Sequence, residues 1–244
     1  MTNRFFAHIK TTFLTYLRSP AYWVPAIIFP AMLYSMFGSS VPDGIIASYV
    51  MASFCAYAVI GVGFYQFGVS IAMQRETSWE RFLRVLPGVF WPRLAALMVS
   101  AGVFALAAVL LVIAASYSFS GPDAAAATVL ALIGACFLIG LPFVLFGVAL
   151  GYWVSARAAV PLANMIFLPL AFLGGLWVRP SGMHPIVGEI SLYTPTRHAA
   201  EIVWAVVGHH PVPGTSIWWL VGYSALFALL AWVGYARDER LRYA

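Results

Sequence analysis

Nucleotide hydrolysis, acyl transfer and metal chemistry each need a few specific side chains at defined spacing, and this chain is poor in all of them. A Gly-x-x-x-x-Gly-Lys-Ser/Thr loop places a lysine against nucleotide phosphates. The single lysine here, Lys10, has no such loop before it. The chain cannot be a P-loop ATPase, and the purified chain is expected to hydrolyse no ATP. Gly-x-Ser-x-Gly and His-Glu-x-x-His are also missing. Cys55 and Cys136 fall in apolar stretches without metal-ligand spacing. The histidines are His8, His184, His198, His209 and His210. Adjacent side chains such as His209 and His210 converge poorly on one ion, so a solvated loop pair is the better reading. No catalytic, cofactor-binding or metal-binding residue is expected.

The polar residues inside apolar stretches include Ser53, Tyr57, Gln66, Ser70 and Asn164. Gln66 and Ser70 lie four apart and share a helix face. These residues could line a translocation path, or they could form the interhelical hydrogen bonds that membrane bundles use generally. No carboxylate lies within an apolar span, which argues against a carrier that relays protons on Asp or Glu.

The elements that must position these groups are set by hydropathy. Of 244 residues, 63% are hydrophobic and only 9% charged, and the mean hydropathy is +0.90. A soluble domain would carry roughly a quarter charged residues, so lipid must solvate part of this surface. Backbone groups in lipid are satisfied only in helices or closed barrels, and unbroken apolar runs of about twenty residues are helical rather than barrel-like. The expected fold is all-α and polytopic, a single domain over 1–244. Six spans are predicted: Tyr22–Gly38, Ile45–Met73, Leu94–Ala115, Ala126–Val154, Ala158–Trp177 and Ser216–Tyr235. None contains Asp, Glu, Lys or Arg.

Charge then orients the spans. Eleven of the thirteen Lys and Arg residues fall in the N-terminal segment, the loop after span two, the link after span four and the tail. Only Arg179 and Arg197 fall on the other side. The positive-inside rule puts both termini in the cytoplasm. The net charge of +5 therefore reflects membrane topology, and no nucleic-acid partner is expected.

Residues 1–18 read as an amphipathic helix in the cytoplasmic interface. Phe5, Phe6, Ile9, Phe13, Tyr16 and Leu17 form one stripe, and Arg4, His8, Thr11, Thr15 and Arg18 lie opposite. The outer loop 178–215 is long and rich in proline. Between its prolines, Ile186–Leu192 and Thr196–Val207 read as short helices, with Thr194 able to cap the second ahead of Pro195.

Two stretches carry more specific information. The cytoplasmic loop Gln74–Arg93 reads QRETSWERFLRVLPGVFWPR. Thr77 to Leu86 can form a short helix with Trp79, Phe82, Leu83 and Leu86 near one face, suited to docking on a partner or packing on its own span ends. The second is FLPLAFLGGLWVRP followed by LYTPTRHAAEIVW. Gly174 and Gly175 there would permit close packing or a break where span five meets the outer loop.

Together these stretches resemble the permease subunits of ABC-2 type exporters, and in particular multidrug and antibiotic-resistance permeases. Glu76, Trp79, Leu83, Arg84 and Pro87 match the family's loop after span two, with Ser78 in place of its usual glycine. Pro169, Leu170, Phe172, Leu173, Gly174, Gly175, Leu176, Trp177 and Pro180 match its fifth span. Pro195, Thr196 and His198 match its later Pro-Thr-x-His, with Arg197 where an aromatic residue is common.

The resemblance covers the whole chain. It implies a permease homodimer, or a dimer with a similar subunit, in a bacterial cytoplasmic membrane. Separately encoded ATP-binding subunits would carry ATP and Mg. Residues 74–93, with Glu76, Trp79, Glu80, Phe82, Leu83 and Arg84, would couple the chain to those subunits. Gly174, Gly175 and Trp177 would form an outer gate or packing point. A multidrug or antibiotic cargo is preferred within a family that also exports lipids, polysaccharides and ions; a secondary carrier or channel without an ATPase is the alternative.

The charge distribution yields a direct test. In a variant without Cys55 and Cys136, single cysteines within 178–215 should react with an impermeant thiol reagent in intact cells or spheroplasts. A cysteine at residue 80 should not, and its labelling from outside would overturn the topology.

Overall fold

The computed structural model describes residues 24–38, 40–77 and 90–243, with residues 10, 11, 13–15, 17 and 18 of the N-terminal segment. Every regular element in these residues is helical, as apolar runs in lipid require. A π-turn, Val24–Ile28, leads into α1 (Phe29–Gly38). Then come α2 (Ile45–Arg75), α3 (Phe90–Phe119), α4 (Ala126–Trp153) and α5 (Ala156–Leu173). A 3-10 turn at Pro180–Gly182 and two short helices, α6 (Pro185–Ser191) and α7 (Pro195–Val207), precede α8 (Gly214–Tyr243).

Five of these helices are long and apolar enough to cross a membrane, and a shorter apolar helix, Ala26–Gly38, stands where the first of six spans is predicted. Its thirteen residues reach about 20 Å, short of the roughly 30 Å hydrocarbon core. Pro25 and Pro30 each withhold an amide donor there. Of the predicted interfacial helix, residues 1–9, 12 and 16 lie outside the described residues. Phe13 is half-buried and stacks on Phe104 of α3 at 5.7 Å, whereas Leu17 of the same predicted stripe is exposed.

Other boundaries depart from hydropathy for local reasons. α5 ends at Leu173, four residues before the predicted Trp177, because Gly175 turns the chain at φ +80°. α8 runs past Tyr235 to Tyr243. Its charged last turns hold local contacts, with Tyr235 donating to Glu239 at 2.7 Å. The α6 and α7 predictions are met within one residue. Thr194 caps α7 as expected, its hydroxyl oxygen accepting from the Arg197 amide at 3.3 Å, with Pro195 in the first turn.

α2 runs through the centre. In its most apolar 18-residue stretch 72% of residues are buried, against 22% for α5 and for α8. It is bordered by α1, α3, α4, α5 and α7, and α4 separates it from α8. α2 and α4 meet almost backbone to backbone along a seam of glycines. A Cβ on Gly147 would lie 2.8 Å from the Gly63 carbonyl oxygen and 3.0 Å from that of Phe64. One on Gly140 would meet Val59 at 2.7 Å, and one on Gly151 would meet Ile71 at 2.7 Å and the Gly68 carbonyl at 3.0 Å. With no hydrophobic force to drive helices together in lipid, such close packing is what holds them.

Connections sort to two ends. At one, Gly44 donates to the Gly121 carbonyl at 3.1 Å, and Asp123 donates to that of Gly44 at 3.3 Å. The 178–215 segment lies at this end, with Arg179 4.9 Å over the Tyr49 ring. At the other, the C-terminus of α2 meets the α4–α5 turn and the end of α8.

The seam predicts an asymmetry between two conservative changes. Gly147→Ala forces a methyl against fixed carbonyls and should cost about 1–3 kcal/mol by overpacking. Gly134→Ala, with nothing within 4 Å, should be neutral. Thermal unfolding of both purified variants decides it, and equal midpoints would refute the seam.

Candidate functional site

The basic end of the bundle is closed by Arg75, the last residue of α2, and Glu76, which caps it. Arg75 Nη1 donates to Asp238 Oδ1 of α8 and to the Tyr152 carbonyl, both at 3.0 Å, and Nη2 donates to the Val154 carbonyl at 2.7 Å. The ion pair is largely buried, with side chains 15% and 8% exposed. Glu76 Oε1 accepts the Ala156 amide at 2.8 Å. The charges match the helix ends they touch. Arg75 serves orphan carbonyls at the negative end of α4, and Glu76 an orphan amide at the positive start of α5. Four helices are thereby tied together where the predicted coupling loop begins. Trp79, Glu80, Phe82, Leu83 and Arg84 of that loop lie outside the described residues, so Glu76 is its one predicted site residue with a place in the structure.

At the opposite end, α5 terminates in a glycine-dependent turn. Leu176 donates to the Ala171 carbonyl at 3.1 Å and Gly175 to that of Phe172 at 3.0 Å, the bond pair of a Schellman motif with glycine in the left-handed position. Both a break and a close approach occur at the glycine pair. A Cβ on Gly174 would lie 2.5 Å from Thr196, and one on Gly175 would lie 3.0 Å from the Trp204 ring. Thr196 donates to the Leu170 carbonyl at 2.5 Å. α7 is thus pressed onto the end of α5. Trp177 turns back into the bundle, 5.7 Å from Tyr57, which stacks on Phe167 at 5.0 Å.

The five polar residues read as path candidates do not form one cluster. Ser53 is buried and accepts from Trp204 Nε1 at 2.8 Å. Tyr57 and Gln66 are buried within the chain, and Ser70 is half-buried one turn beyond Gln66. Asn164 is exposed and accepts from the Tyr65 hydroxyl. His209 lies 3.4 Å from the Thr128 hydroxyl and His210 contacts the Pro211 carbonyl, so the two rings turn to different partners.

Sequence reasoning did not single out Asp238 or pair it with Arg75, 163 residues away. An acidic residue inside the basic tail ARDERLR was the available signal. A second polar group joins α7 to α8. Arg197 Nε donates to Glu201 at 2.9 Å, Ser216 donates to Glu201, and His198 Nδ1 lies 3.2 Å from the Ser216 hydroxyl. Burial pushes the Glu201 carboxyl up, but the hydrogen bonds from Ser216 and Arg197 and the Arg197 charge outweigh it and leave it below the usual range. Burial holds the His198 ring below its ordinary value, against the pull of Glu201. Near neutral pH the carboxylate is ionised and the imidazole neutral.

A bundle of long apolar helices, closed by charge at one end and by a packed short helix at the other, is the architecture of a polytopic membrane protein. The family described as ABC-2 type transporter matches residues 3–207, and the chain belongs to it. It is a membrane permease of that type, a non-catalytic transmembrane subunit, and ABC-2 permeases pair with ATP-binding cassette subunits. The chain is 24% identical over 222 residues to YvfS of Bacillus subtilis (strain 168), a protein provisionally named a transport permease; the match covers 88% of this chain and 90% of YvfS. No solved structure matches the chain.

The clasp predicts graded effects. Arg75→Ala uncaps two carbonyls and removes the buried ion pair with Asp238, and should cost on the order of 3 kcal/mol. Asp238→Asn keeps the shape and an acceptor, and should cost clearly less. Unfolding of the purified variants separates them, and a harmless Arg75→Ala would dismiss the clasp.

Proposed function

We propose that the chain forms the membrane half of an ATP-driven exporter that moves an amphipathic molecule, a drug or antibiotic, out across the bacterial cytoplasmic membrane. The observation that carries the reading is the family match over residues 3–207. Two copies enclose the route, or one copy and a similar subunit. Both termini and the loop 74–93 face the cytoplasm, in line with the distribution of basic residues. ATP and Mg bind separate ATP-binding subunits, and this chain holds neither. An apolar, aromatic-rich bundle is compatible with an amphipathic cargo, with the outer end opening around Gly174, Gly175 and Trp177.

Coupling requires that ATP-bound partners favour one permease state over the other. In this reading Thr77–Leu86 is the docking element. Trp79, Phe82 and Leu83 seat on the partner, and Glu80 and Arg84 orient the contact. Arg75 and Glu76 carry its displacement into α4, α5 and α8 through the bonds that tie them together. Ser53, Gln66, Ser70 and Asn164 face the route in states other than the one described.

Two measurements on one preparation test the proposal. Vesicles containing the chain and its ATP-binding subunits should accumulate cargo only with hydrolysable ATP, and equal transport without ATP would establish a carrier or channel instead. Trp79→Ala should insert normally yet lose about thirtyfold in partner affinity, the cost of truncating a buried interfacial anchor. Unchanged copurification and unchanged transport-linked ATPase activity would remove this helix from the mechanism.

A further inference from the structure

The 178–215 segment holds the two arginines that break the charge pattern of the chain, Arg179 and Arg197. Basic residues are scarce at the end opposite the basic loops, yet the fold brings both to one open cup of about 410 Å³. Its floor is aromatic. The Arg179 guanidinium lies 4.9 Å over the Tyr49 ring of α2, and that of Arg197 lies 5.5 Å over the Trp204 ring of α7. Trp204 is fixed in turn by its bond to Ser53. A guanidinium lying on a ring keeps its edge N–H groups free for the paired oxygens of a phosphate or carboxylate.

The charges do not cancel. Glu201, the carboxylate in the cup wall, is engaged by Arg197 and by Ser216 of α8. Arg179 has no carboxylate partner among the described residues. Two cations against one anion leave a net positive cup. If the arginines served only to staple the loop, each would be expected to have a counter-ion; Arg179 is instead exposed at the rim beside Ser181. Pro180, Pro213 and the His210 ring complete the walls.

We propose that this cup binds a single anionic head group, phosphate or carboxylate, carried on an apolar body. The site stands apart from the identity of the exported cargo, because its ligand need not be the cargo.

The test uses the full chain in phosphatidylcholine nanodiscs, titrated calorimetrically with dodecyl phosphate. Saturable binding is expected, weakened about tenfold by Arg179→Gln, the loss of one charged contact. Ser181→Asp, which adds a negative charge at the exposed rim, should weaken it comparably and covers the case of a misfolded Arg179 variant. Dodecyltrimethylammonium should not compete. Competition by phosphatidylglycerol in the disc would support the proposal with a lipid head group as the natural source; competition by inorganic phosphate would support it with a free anion. Absent or unsaturable binding, equal binding of the cationic probe, or unchanged affinity in a folded variant of either kind would overturn it.

Discussion

The approach of α2 and α4 to within backbone contact is the constraint on which the rest of the bundle depends. Lipid tails solvate leucine as well as another leucine does, so the two longest-buried faces are not driven together by the hydrophobic effect. They stay together because glycines at 63, 68, 140, 147 and 151 let carbonyls and Cα atoms of one helix sit in the groove of the other. Most of the other helices pack on that pair. α3 and α5 cover the remaining sides of α2, and α8 is held against α4 by the parallel rings of Phe146 and Phe227, 4.3 Å apart. Trp153 completes this contact through its Nε1 donor bond to the Leu230 carbonyl at 2.9 Å.

A helix fixed along its length in this way connects the two ends of the molecule. The first turns of α2 offer Tyr49 to Arg179 and Ser53 to Trp204 of α7, and its C-terminal end offers Arg75 and the capping Glu76 to the starts and ends of three others. The polar contacts lie at the ends and the glycine contacts between them. That division suits a membrane helix, since ionic bonds near the interfaces avoid the cost of charge at mid-bilayer.

Much of this architecture is legible in the sequence. Span positions follow from hydropathy, and α6 and α7 from proline punctuation and the Thr194-Pro195 start. Hydropathy misjudged ends because it measures partitioning rather than backbone geometry. The apolar run after Leu173 continues through a turn, and the helix after Tyr235 continues through charges. The spacing of seven and four among Gly140, Gly147 and Gly151 is visible in the sequence, but its partner helix is not. Arg75 and Asp238 meet because α2 and α8 both pack against α4, a relation that no local pattern encodes.

The placement of the glycine seam along α2 has a mechanical consequence. The helix has 31 residues, a rod of about 46 Å at the usual rise. The seam is centred near residue 65, about 30 Å from the Ile45 end and about 15 Å from Arg75. A stiff rod turning about that fulcrum has unequal arms. For a rigid rod pivoting there, a displacement of about 1 Å at Arg75 would correspond to about 2 Å, in the opposite direction, at the far tip.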